Sequence, residues 1–222
     1  MVLFGIPTML NKSFSLSLLI LLCTLANPFA AAKQFLPDAP NVDAKAWILV
    51  DADTGYVIAE QNADDTLPPA SLAKMMTTYI TSKEIAENRL KEDDLVVISD
   101  NAWELGGAKT DGSTMFLSPR SKVPVIDLMR GVIIQSGNDA AISLAEHISG
   151  GETAFSDNMN YQAELMGMTN TYYMNATGLP AEGMVTSARD LTILAKAIIN
   201  EHPEYYSIYS EKYFSHNNIN QP

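Results

Sequence analysis

The chain of 222 residues is nearly devoid of cysteine: Cys23 is the only one, and it lies in an apolar N-terminal run. From Lys33 onwards neither a disulfide nor thiol catalysis is available. Positive charge is also scarce, with 14 Lys and Arg against 26 Asp and Glu, a formal charge of −12. Such a surface excludes binding of nucleic acid or of an anionic membrane by charge alone, so the charge of any anionic ligand must be met locally. The apolar run Phe14 to Leu25 is shorter than the roughly 20 residues a membrane-spanning helix needs. No internal repeat, low-complexity tract or long linker is present.

What is present is an ordinary globular composition, 47% apolar, enough to bury one core or one core plus a small subdomain. At the N-terminus, Lys12 precedes the apolar run and Ala30-Ala31-Ala32 offers a cleavage point before Lys33, the pattern of a signal peptide over residues 1–32. Its removal takes away Lys12 and no acidic residue, moving the formal charge to −13. The expected location is therefore outside the inner membrane, in the periplasm.

After a Pro-containing arm at 37–42, residues 46–51 and 56–60 read as strands joined by the turn Ala52-Asp53-Thr54-Gly55, with Trp47, Leu49 and Val57 assigned to the core. A helix is expected from Ser71 to Glu87 or Asn88, burying a stripe of Leu72, Met75, Met76, Tyr79 and Ile80. Further helices are read at 125–134, 138–148, 152–165 and 187–200, the last opened by Ser187 as a cap. The segment 106–112 is a glycine-rich loop, and the chain ends in a polar, asparagine-rich tail.

Within Pro68-Pro69-Ala70-Ser71-Leu72-Ala73-Lys74, a hydroxyl and an amine stand three residues apart where a helix begins. At that spacing the two side chains share a helix face. A partly desolvated lysine loses its proton readily enough to activate a serine, which makes Ser71 the candidate nucleophile and Lys74 its base. The unpaired N–H groups of the helix start favour the negative charge of acyl transfer. With 17 serines and 10 lysines, about one S-x-x-K match arises by chance, so the pair needs company.

That company is Gln135-Ser136-Gly137-Asn138, a small polar loop between two apolar helices. Ser136 offers a hydroxyl for proton relay, and the Asn138 amide can donate to and accept from a peptide backbone. Asn138 can equally be a cap of the following helix. Other S-x-N matches are set aside by context: Ser99 is placed to cap a short helix, Ser156 falls inside a helix, and Ser215 lies in the tail. Lys109-Thr110-Asp111-Gly112 is no K-T-G, because an aspartate intervenes in a loop.

In this order, Ser71-Leu72-Ala73-Lys74 and Ser136-Gly137-Asn138 resemble the first two motifs of the penicillin-binding serine enzymes. The 47–64 hairpin, Gly112 to Leu117, Arg130-Gly131, Thr177-Gly178-Leu179 and Ser187 to Asp190 extend the resemblance to low-molecular-mass D-alanyl-D-alanine carboxypeptidases over essentially the whole of residues 33–222. It implies an α/β (α+β) penicillin-recognising transpeptidase/β-lactamase-like fold, an antiparallel sheet with a helical subdomain. It also implies Ser71 as the acylated nucleophile, Lys74 as general base, Ser136 in proton relay and Asn138 in substrate binding. The implied reaction removes the terminal D-alanine of peptidoglycan stem peptides ending in D-Ala-D-Ala, with β-lactam antibiotics as substrate mimics and no metal or organic cofactor.

The family's third motif, K-T-G, would come after Pro222. Residues 33–222 are therefore expected to be a catalytic domain cut before that motif, without a C-terminal membrane anchor, leaving apolar helix faces uncovered and turnover lost. A D,D-endopeptidase has the same chemistry, and a class A-type β-lactamase would need a deacylating glutamate that Glu152, Glu164 and Glu182 are poorly set to supply. A non-catalytic scaffold that retains the motifs is the alternative of a different class. The signal peptide carries its own test: N-terminal sequencing of exported protein should start at or near Lys33, and recovery of residues 1–32 intact would refute the export reading.

Overall fold

Helices packed on one another, rather than a broad sheet, hold this chain together. The computed structural model describes residues 39–107 and 109–221. The expected signal peptide, residues 1–32, lies outside the described residues, as do residues 33–38. The chain divides after Pro40 into two units, and the strands and helices of the described residues all lie in the second, Asn41–Pro222.

Strands β1 (Trp47–Val50) and β2 (Val57–Gln61) form an antiparallel hairpin. Its turn is closed by Asp51, whose Oδ1 accepts from Thr54 N (2.8 Å) and Thr54 Oγ1 (2.5 Å). A 3-10 turn, Ala70–Ala73, leads into α1 (Lys74–Ala86). Strands β3 (Leu95–Val97) and β4 (Lys122–Pro124) pair antiparallel across α2 (Asp100–Gly106). Helices α3 (Val125–Gln135), α4 (Asn138–Ser149), α5 (Glu152–Met166) and α6 (Ala188–Glu201) come next. A short α7 (Pro203–Tyr206), a 3-10 turn at Ser207–Ser210 and the hairpin β5 (Phe214–His216)–β6 (Ile219–Gln221) end the described chain. Two of the expected caps are in place: Ser99 Oγ accepts from Ala102 N (2.8 Å) and Ser187 Oγ from Asp190 N (3.1 Å).

Two apolar clusters result. One gathers Ile98, Met115, Leu128, Met129, Ile142 and Leu144 around α3 and α4. The other gathers Met76, Ile80, Phe155, Met159, Tyr173 and Leu194, so that α1 packs on α5 and α6. Met76, Ile80, Leu128, Val132, Ile142 and Leu144 are each at most 2% exposed, whereas Leu49, Ile58, Leu72, Leu95 and Val97 keep about half of their surface in water.

Four local expectations are corrected. Leu72 is 51% exposed, because the chain enters α1 through a 3-10 turn and its side chain leaves the buried stripe. Leu49 is 52% exposed, and Trp47 and Val57 are only half-buried, since the hairpin docks by one side on α6. Arg189 on α6 holds it there, bonded to Asp64 (2.6 and 2.9 Å) and Glu60 (2.7 Å). The tail is a hairpin, because Asn217 and Asn218 both adopt positive φ (50° and 62°), as a two-residue type I′ turn requires. Asn138 does not cap α4: Gly137 occupies that position and no side chain caps the helix.

Gly106 ends α2 directly on the start of α4, where an added Cβ would stand 2.6 Å from the Asn138 carbonyl carbon and 2.7 Å from Asp139 Cα. Backbone cannot yield as a side chain can. Gly106→Ala should lower stability by about 1–3 kcal/mol, read from the urea midpoint; an unchanged midpoint would show that α2 and α4 separate freely.

Candidate active site

Ser71 sits in the 3-10 turn, where Ala70 takes an unusual φ of +47° for a residue with a Cβ. Lys74 is the first residue of α1, and its Nζ stands 3.4 Å from Ser71 Oγ. A second bond, shorter, fixes the amine: Lys74 Nζ donates to the Thr177 carbonyl at 2.7 Å. Lys74 is only 5% exposed. Burial alone pushes its ammonium down, to about 8, because no carboxylate offsets the loss of water. A fraction of the amine is thus neutral near pH 7, and it lies beside a hydroxyl.

The Thr177 carbonyl is held by an Asn175 turn. Asn175 Oδ1 accepts from Gly178 N (2.8 Å), Thr177 N (3.2 Å) and Thr177 Oγ1 (3.0 Å), while its Nδ2 donates to Leu179 O (2.9 Å). Gly178, at φ +81°, passes so close to Ala70 that an added Cβ would overlap the Ala70 carbonyl. Only glycine fits both the angle and the gap. The Thr177-Gly178-Leu179 segment therefore clamps the Ser71 turn from more than 100 residues downstream.

Ser136 ends α3 in the left-handed region (φ 58°, ψ 33°), and its Oγ is buried without a protein partner. Ser71, Lys74 and Ser136 line one cavity of about 100 Å³, together with Met75, Thr78, Val132, Ile133 and Tyr209. Asn138, although 4% exposed, does not line it; its amide lies by Gly112, where an added Cβ would come within 2.6 Å of Nδ2. A larger cavity of about 450 Å³ between α1, α5 and α6, lined by Tyr79, Lys83 and Lys196, contains none of these groups. Among the described residues, no group of three or more His, Cys, Asp and Glu is placed to hold a metal ion.

A residue not singled out from sequence organises the second loop. Asp139 is fully buried, and its carboxylate accepts from Thr114 Oγ1 (2.8 Å), Met115 N (2.8 Å), Leu117 N (3.0 Å) and Ala140 N (2.9 Å). These bonds tie the 113–117 loop to the start of α4, and Asn138 N donates to Ser113 O (2.9 Å) beside them. Asp190 plays a similar part, accepting from Asn170 N and Thr171 Oγ1 (2.8 and 2.7 Å), while Arg189 serves the hairpin; neither reaches Ser71.

A serine beside a buried lysine, with a second hydroxyl in the same cavity, is the arrangement the sequence motifs describe. The family model for D-alanyl-D-alanine carboxypeptidase matches residues 33–222. The chain belongs to this family. D-alanyl-D-alanine carboxypeptidase DacC of Escherichia coli is 45% identical over 196 residues, which cover 88% of this chain and 49% of that protein. Penicillin binding protein 5 of Haemophilus influenzae superposes with a TM-score of 0.81 at 40% identity, covering 84% of this chain and 54% of its own. Penicillin binding protein 6B of Escherichia coli gives 0.80 at 40% identity, covering 85% and 60%. The chain spans about half the length of the curated relative it matches. Its fold is the penicillin-recognising transpeptidase/β-lactamase-like fold, with antiparallel strand pairs and a helical subdomain.

Burial sets two expected outcomes in this carboxypeptidase-family chain. Asp139→Ala should remove the acceptor shared by three backbone N–H groups and the Thr114 hydroxyl and cost about 3–5 kcal/mol, measured by chemical denaturation; a cost under 1 kcal/mol would refute its organising part. For Lys74, the folded-state value lies below the unfolded one of 10.5. Below about pH 8 both states carry the ammonium and the fold bears its desolvation. Between about 8 and 10.5 the unfolded chain binds more protons, so stability rises with pH, by on the order of 3 kcal/mol. Lys74→Met should lack that rise relative to wild type, and parallel pH–stability curves would show that Lys74 is not desolvated.

Proposed function

We propose that the protein is a serine-type D-alanyl-D-alanine carboxypeptidase that acts through an acyl-enzyme on peptidoglycan stem peptides ending in D-Ala-D-Ala. Ser71 Oγ attacks the carbonyl of the penultimate D-alanine while neutral Lys74 accepts its proton. The Ser71 N–H at the start of the helical stretch faces the developing oxyanion. The C–N bond then breaks, and the leaving D-alanine amine receives the proton from Lys74 by way of Ser136. Water hydrolyses the Ser71 ester and regenerates the hydroxyl. Asn138 is assigned to the substrate backbone, and β-lactams acylate Ser71 as mimics of the D-Ala-D-Ala terminus. The protein acts outside the inner membrane after loss of residues 1–32.

The observation that carries this reading is Lys74: a buried amine with no acidic partner among the described residues, 3.4 Å from a serine hydroxyl and sharing a cavity with a second serine hydroxyl that has no partner among them. A lysine kept for structure alone would be paired with a carboxylate or left in water. Membership of the family and 45% identity to an Escherichia coli carboxypeptidase support the substrate class.

The test, made in a complete parent protein, measures D-alanine release from a diacyl-Lys-D-Ala-D-Ala peptide together with fluorescent penicillin labelling. Ser71→Ala should abolish labelling, and Lys74→Ala should slow acylation by about 10²- to 10⁴-fold. The wild-type acylation rate should rise with pH through about 8, as Lys74 becomes neutral. A covalent adduct on Ser71→Ala would refute the nucleophile, and cleavage of cross-linked dimers in purified sacculi without D-alanine release would move the substrate to an endopeptidase's.

A further inference from the structure

Thr78 stands one turn beyond Lys74 on α1. Its Oγ1 lies 3.1 Å from the Lys74 carbonyl, 3.0 Å from the Met75 carbonyl and 2.8 Å from the hydroxyl of Tyr209. A threonine hydroxyl has a single proton. Either oxygen can donate the 2.8 Å bond, and with the Thr78 proton directed at the two carbonyls the Tyr209 hydroxyl can supply it. Tyr209 arrives from the 3-10 turn at Ser207–Ser210, 131 residues downstream of Thr78. The residue keeps 39% of its surface exposed, yet its hydroxyl is turned inwards onto α1.

The same ring is a wall of the cavity that holds Ser71, Lys74 and Ser136. Among the side chains lining it from the Ser71 turn, α1, α3 and the 207–210 turn, Lys74 and Tyr209 are the two that titrate, and no carboxylate is among them. On the 175–179 segment, Glu152 is engaged by Ala176 N at 3.4 Å. Burial pushes the Tyr209 phenol above its ordinary value, so it stays a donor through the neutral range. Since desolvation is what lowers Lys74, whatever keeps water out of this cavity governs the base.

We propose that Tyr209 is a positioning residue for the Ser71–Lys74 pair, its ring excluding water from the cavity that Lys74 lines and its hydroxyl fixing the first turn of α1 through Thr78. The role rests on Lys74 as the base, but its test needs neither substrate nor penicillin and so fails independently of that reading. Lysines carrying 13C at Cε are titrated by NMR in the full chain, with the Lys74 signal assigned by its loss in Lys74→Arg. Tyr209→Ala, which opens the wall, is expected to raise the Lys74 midpoint by about one pH unit or more towards the ordinary lysine range. Tyr209→Phe, which keeps the wall, is expected to leave that midpoint in place while speeding amide hydrogen exchange in the first turn of α1 about fivefold. If Tyr209→Ala does not fold, Tyr209→Leu replaces it with the same expected direction. An unmoved Lys74 midpoint in whichever truncation folds, or unchanged exchange in Tyr209→Phe, overturns the proposal; failure of both truncations to fold also overturns it, in favour of a purely structural role.

Discussion

An amine taken out of water with no counter-charge is the constraint on which the site depends. Lys74 loses hydration that a carboxylate would have replaced, and the close acceptors it has are the Thr177 carbonyl and the Ser71 hydroxyl. A neutral acceptor can hold a lysine in place without stabilising its charge as an anion would, so position and basicity are set separately. That separation needs apolar surroundings. Met75, Val132, Ile133 and the Tyr209 ring line the cavity beside the amine, and α1 packs on α3, α4, α5 and α6.

The opposite solution appears at Asp139, where a buried charge is kept because it is fully bonded. Four donors converge on one carboxylate, two of them backbone N–H groups of the 113–117 loop. Strain collects around the two centres: Ala70 precedes Ser71, Phe116 lies within the loop that Asp139 holds, and Ser136 ends α3, all with positive φ. Each costs on the order of 1–3 kcal/mol and persists only because its surroundings over-determine it. The Gly178–Ala70 crossing and the Asp139 bonds are two such surroundings, and both join segments remote in sequence.

Local features were legible wherever a residue and its partner lie close in the chain. The helices at 125–135, 138–149, 152–166 and 188–201, the caps Ser99 and Ser187, and the Ser71–Lys74 spacing all follow from periodicity or from groups three or four residues apart. Leu72 and Leu49 were misplaced for the same reason: periodicity says which residues share a face, not which faces meet another element. The tail concealed a hairpin because Asn217-Asn218 lacks the glycine that usually marks a type I′ turn.

By itself, then, the sequence determined the Ser71–Lys74 contact, the two-motif order and the family, because each is written in short spacings that helix geometry converts directly into proximity. Only the tertiary structure decided that the Thr177 carbonyl anchors Lys74, that Asp139 ties the 113–117 loop, that Asn138 lies by Gly112 outside the serine-lined cavity, and that Tyr209 walls that cavity. These pairings bring together residues as much as 131 positions apart, and a peptide chain carries no local signal of what will be folded against it.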